Sequence, residues 1–100
     1  MGFLPVIIMK QIYSIVRVEF NAIYLDTQVI YCYESKEKAE EEMSKIIKED
    51  FNYLVDDIEK EGQSLKDFVD EHFIDKDTWR YDNGMTIVNY EIHTSGLVLK

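Results

Sequence analysis

Two histidines, one cysteine and a crowd of carboxylates are the side chains of this 100-residue chain that could carry chemistry. Glu71, His72, Asp75 and Asp77 fall within one short stretch, and His93 could approach them in space, so metal binding is the first chemistry to weigh. The spacing does not suit it. There is no His-Glu-x-x-His and no cysteine pair. The run Asp75-Lys76-Asp77-Thr78-Trp79-Arg80 puts Trp at the fifth position of a calcium loop and lacks glycine at the sixth. A solvated helix end and connector is the expected role of these residues, with no metal and no cofactor. Nucleophilic catalysis needs Ser, Thr or Cys beside a His and an orienting acid, and neither histidine lies in such a motif. No Gly-x-Ser-x-Gly and no glycine-rich phosphate loop occurs, and the glycines at 2, 62, 84 and 96 read as tail, cap or turn. Carboxylate pairs suit hydrolysis in principle, but among 20 acids adjacency arises by chance. No catalytic residue is assigned, and the chain is not expected to be an enzyme.

The acids are unevenly placed. Residues 34–77 hold sixteen of them against seven lysines, a balance of −9 that equals the formal charge of the whole chain, so the flanks are neutral. Phosphate binding needs clustered Lys or Arg, which excludes direct recognition of nucleic acid and of anionic lipid. A basic protein surface is the expected partner. Cys32 stands alone in an apolar and aromatic run, which fits a small hydrophobe in a reducing cytoplasm. The apolar stretch 2–9 is too short to span a membrane and has no basic region or cleavage site of a signal peptide. It reads as an upstream extension over 1–8 or as an extra edge strand interrupted by Pro5.

The elements that must position these side chains follow from periodicity. The size and apolar content fit one domain over 1–100. Residues 11–20 alternate, with Ile12, Val16, Val18 and Phe20 on one parity and Gln11, Arg17 and Glu19 on the other beside Tyr13 and Ile15, a half-buried strand. Residues 28–33 form a second strand, and the pair reads as a hairpin. Ser35 caps a helix predicted over 35–61, in which Ala39, Met43, Ile46, Ile47, Leu54, Val55 and Ile58 recur at helical spacing until Gly62. Glu41 with Lys45 and Asp56 with Lys60 are its expected i,i+4 pairs. Asp50, Asp57 and Glu61 intrude on the apolar stripe, as groups left wet beyond the sheet or past a break near Asp50, or as an acidic seam facing a partner. Ser64 opens a shorter helix fading near His72, and 78–82 and 85–94 read as strands joined by Asn83-Gly84, a type I′ turn signal. Residues 97–99 form a tail or a last short strand. The predicted fold is two-layer α+β, order ββααββ, with an antiparallel sheet of about four strands and one long and one short helix. Ile12, Val16, Val18, Ile46, Leu54, Ile58, Val88 and Ile92 are its expected core.

The run Lys10-Gln11-Ile12-Tyr13-Ser14-Ile15-Val16, a hairpin, then Ser35-Lys36-Glu37-Lys38-Ala39 and finally Tyr90-Glu91-Ile92 resembles small phage and mobile-element proteins of unassigned function. These pair a hairpin with a helix opening Ser-x-Glu-Lys-Ala and close on a strand. The likeness covers about half of the chain, carries no active site, and leaves out the second helix and the Asn83-Gly84 hairpin. It implies a phage or prophage setting, in which compact acidic proteins act as inhibitors of host defence or nucleic-acid enzymes, in the style of anti-CRISPR proteins. The leading expectation is a non-enzymatic module whose acidic face, Glu41, Glu42, Glu49, Asp56 and Glu59, occupies a basic partner surface. A homodimeric structural or assembly protein built through exposed strand edges is the alternative, and a small hydrolase comes third.

Overall fold

The computed structural model describes residues 8–99, with side chains over 11–95. Its order is β1 (Ile8–Asn21), β2 (Leu25–Tyr33), α1 (Lys36–Asp50), a 3₁₀ turn (Asn52–Leu54), α2 (Val55–Lys60), α3 (Leu65–Glu71), β3 (Phe73–Asp75), β4 (Thr78–Asp82) and β5 (Thr86–Leu99). The α+β class and antiparallel sheet are as expected. The sheet has five strands in the order β2-β1-β5-β4-β3, because the connector after α3 adds the short edge strand β3, paired to β4. β5 runs on to Leu99 in place of a separate tail, and β1 starts at Ile8, so the proposed extension overlaps a strand by one residue; residues 1–7 lie outside the described part. From Ile8↔Leu99 to Ile12↔Ser95, β1 and β5 pair with each other beyond the ends of β2 and β4.

The helix predicted over 35–61 is two helices. Ser35 accepts the Lys38 N–H as the N-cap, and α1 presents Ala39, Met43 and Ile47 fully buried. At Phe51 the backbone leaves helical geometry, and the side chain packs 5.0 Å from Trp79 and 5.2 Å from Tyr81. Burying a Phe contributes about 1.5–3 kcal/mol, against about 1 kcal/mol net for a helical hydrogen bond, so the tertiary contact outweighs helix continuity. Gly62 ends α2 at φ +82°, and Ser64 accepts the Asp67 N–H to start α3.

The helices cover one face of the sheet. Their core partners are Ile15, Trp79, Val88, Tyr90 and Ile92, and the Trp79 indole N–H donates to the Val69 carbonyl at 2.8 Å. This corrects the side of β1 expected to face the core. The helix-side parity is that of Tyr13, Ile15, Arg17 and Glu19, paired across β5 with Thr94, Ile92, Tyr90 and Val88. Ile12 and Val18 are half-buried on the opposite face; Val16 is buried there by its neighbours and stands outside the main cluster. Charges at Arg17 and Glu19 imitate a solvent face, but they are paired inside the molecule. Ile58, Val88 and Ile92 are buried as expected, while Ile46 and Leu54 lie half-buried at the edge of the core. The β4–β5 connection is not a type I′ turn: Gly84 alone has positive φ, +86°, while the Asn83 side-chain oxygen accepts the Met85 and Thr86 N–H groups.

Candidate functional site

Asp50, the last residue of α1, turns inward onto the sheet. Its Oδ2 accepts from Arg17 Nε at 3.0 Å and from the Tyr90 hydroxyl at 2.5 Å. Arg17 Nε also donates to the Tyr90 oxygen at 3.1 Å, and Nη2 donates to Glu19 Oε1 at 2.7 Å. The Tyr24 hydroxyl completes the chain by donating to Glu19 Oε2. Burial works against the Arg17 charge, yet the bonds to Glu19 and Asp50 hold its pKa above the ordinary value. Tyr90 is pushed above the usual phenol range by burial and then by its bond to Asp50. Glu19 is held below the carboxylate range, by Tyr24 first and by Arg17 second. Beside this cluster opens a cleft of about 200 Å³ lined by Arg17, Glu19, Tyr24, Tyr53, Asn83 and Thr86. An acidic ligand there has to displace Glu19 or Asp50 from the guanidinium, so the arrangement works first as a clamp joining α1 to β1 and β5.

The acidic residues singled out by sequence do not form one stripe. Glu41, Glu42 and Glu49 lie on α1, while Asp56 and Glu59 lie beyond the turn on α2. Glu41, Glu49, Asp56 and Glu59 are exposed. Glu42 is half-buried between Lys38 at 3.0 Å and Lys45 at 3.5 Å, which lower its pKa, the Lys38 hydrogen bond most. Lys45 therefore serves Glu42 instead of the expected Glu41, and the expected Asp56–Lys60 bridge is not formed among the described residues. Of the three acids intruding on the stripe, Asp57 and Glu61 are exposed past the break at Phe51, as expected, whereas Asp50, half-buried at the rim of the cleft, is bonded to Arg17 and Tyr90.

Glu71, His72, Asp75, Asp77 and His93 do not gather into one site: Glu71 lies 3.7 Å from His72 Nδ1 and accepts from Gln63 at 2.7 Å, and the rest are engaged elsewhere. His72 packs 4.5 Å from Phe68 and its Nδ1 meets the Phe68 carbonyl at 2.7 Å. Asp77 pairs with Lys36 at 3.3 Å, Asp75 accepts the Asp77 N–H, and His93 sits on the other face of the sheet beside Glu91 at 2.7 Å. Cys32 is exposed on that same face, with its sulfur 3.4 Å from Ser14 Oγ, and does not serve as the buried hydrophobe expected.

No family model, curated protein or solved structure matches the chain. No helix among the described residues is long and apolar enough to cross a membrane. The residues that sequence reasoning missed are Arg17, Glu19, Tyr24 and Tyr90. The signal for them was Asp50, an acid inside an apolar stripe, whose partner lies 33 positions earlier in the chain.

Proposed function

We propose that the protein is a non-enzymatic binding module whose helical side occupies a basic surface of a partner protein. The observation that carries this reading is the segregation of charge. The acid-rich segment folds almost entirely into the three helices laid on one side of the sheet, and Glu41, Glu49, Asp56 and Glu59 stand exposed there. Four of the seven lysines of the same segment are engaged by neighbouring acids on the surface, Lys38 and Lys45 with Glu42, Lys66 with Asp70 and Lys36 with Asp77. The negative excess is left to face outward, where it would steer a basic partner and set register more than it would add raw affinity. Arg17 is engaged by its own acids, which supports binding over catalysis as the use of the molecule. In the phage or mobile-element setting implied by the sequence resemblance, the partner is a cytoplasmic host defence protein or a nucleic-acid-handling protein, whose phosphate-binding groove the acids would fill.

The test is capture from the native host on immobilised protein, eluted by salt, with Glu41→Lys/Glu49→Lys/Asp56→Lys as the comparison bait. A partner held by the wild type at low ionic strength, released by salt and lost from the triple variant is the expected outcome. A partner that binds both baits equally at low salt would remove the acidic face from the function.

A further inference from the structure

The side of the sheet away from the helices has no element over it among the described residues. Strand alternation places Val16, Val18 and Phe20 of β1, Leu25 and Val29 of β2, and Ile87 of β5 on it. Leu25 and Val29 are 71% and 64% exposed, Val18, Phe20 and Ile87 are half-buried, and Val16 lies buried among them. Toward the hairpin tips Phe20, Ile87 and Met85 line a shallow hollow of about 410 Å³, and Ile23, 89% exposed, projects from the β1–β2 turn as an apolar knob. Over the stretch 12–20 the face spans β1, β2 and β5 along roughly 30 Å and β4 along roughly 17 Å, about 500 Å² in projection before side-chain relief is added. Stable interfaces start near 600 Å² per partner, so this face alone approaches the required size.

Charge selects the occupant. The face carries Arg80, Asp82, Glu91 and His93, a nearly neutral set in which Glu91 and His93 already pair, while the −9 excess of 34–77 lies on the helical side. A basic partner finds little here to hold. A second copy, apposed by the same face, brings two neutral apolar surfaces together and keeps both acidic layers on the outside. We propose that the open sheet face is a homodimer interface in which two copies stack sheet against sheet about a two-fold axis. The proposal concerns the face opposite the acidic helices and stands independently of what they bind. Its salt dependence is opposite in sign: screening removes repulsion between two copies of charge −9 and strengthens the dimer, whereas it weakens an acidic-to-basic complex. Cys32, exposed on this face, becomes covered on stacking.

Sedimentation equilibrium of the full chain from about 1 to about 500 µM, at about 20 and about 500 mM NaCl, reads the mass. A dimer tighter at high salt is expected. Leu25→Lys/Val29→Lys should raise the dimer Kd by more than about tenfold with an unchanged far-UV spectrum, since two apolar side chains of the interface become charged. Tyr31→Lys, on the other face of β2 and 58% exposed, should leave the mass unchanged. In the wild type, maleimide alkylation of Cys32 should slow as protein concentration rises, a reading that holds even if the double variant fails to fold. A monomer throughout, a dimer unaffected by the double variant, equal loss with Tyr31→Lys, or concentration-independent alkylation would each overturn the proposal.

Discussion

The two sides of the sheet share their strands and differ in what lies over them. On the helix side Trp79, Tyr90 and Ile15 are buried to 1% exposure or less, and the charges of Arg17, Glu19 and Asp50 are tied to one another. On the other side Leu25 and Val29 stay open, Val16 alone is buried among the described residues, and Ser14 faces Cys32 across the strands. The difference teaches that apolar content alone did not decide which side became the core. The side chosen carries the large aromatics Trp79 and Tyr90, and burying it is tolerated because its charges are met, Arg17 by Asp50 of the helix and Glu19 by Arg17 and Tyr24.

Trp79 is the side chain whose loss should cost the helix side most. Trp79→Ala should lower stability by about 3–5 kcal/mol, read by urea unfolding, because it opens a cavity and removes the indole bond to the Val69 carbonyl. Val29→Ala on the open side should stay within about 0.5 kcal/mol for the monomer. Next in size is Arg17→Met, expected to cost about 1–3 kcal/mol. That is below the loss for a fully buried pair, since Arg17 and Asp50 side chains keep 17% and 30% exposure.

The same cluster sets a pH response. Glu19 is held below its ordinary pKa, so the unfolded chain takes up that proton first. Its contribution is full above pH about 4.5 and is lost as the pH falls through the folded value. Arg17→Met should flatten this acid slope in thermal melts. Tyr90 is shifted upward, so its contribution is full below pH about 10 and is lost as the pH rises through the folded value; Tyr90→Phe should reduce the alkaline loss.

The smallest effect sharpens the contrast from the helix side. Glu41→Lys/Glu49→Lys/Asp56→Lys should leave the melting temperature unchanged or raised, because exposed pairs contribute about 0–1 kcal/mol and like-charge crowding opposes even that. A cooperative loss of stability in this variant would show that the outer acids are structural.

Local signals were read correctly where they act within one turn or one strand. Ser35 and Ser64 cap their helices, Gly62 stops α2, and α3 ends where the sequence fades at His72. The strand 78–82 is found with those bounds. The acidic surface was legible too, since exposure of Glu41, Glu49, Asp56 and Glu59 follows from charge and helical period. Glu42 departs from that pattern because two lysines one turn away on either side draw it in.

The class of fold, the starts of α1 and α3 and the placement of the acidic excess follow from the residues alone, because caps, turns and periodicity are short-range physics. A break near Asp50 was open from the apolar stripe; tertiary packing settled it by seating Phe51 against Trp79, and it alone brought Arg17 and Tyr90 to Asp50 and turned Ile15 instead of Val16 toward the helices. Both parities of β1 hold enough apolar groups to be a core face, so alternation leaves the choice open. Packing across β5 and a salt bridge spanning 33 positions resolve it; the packing has no local trace in the chain, and the salt bridge shows only as the acid Asp50 within an apolar stripe.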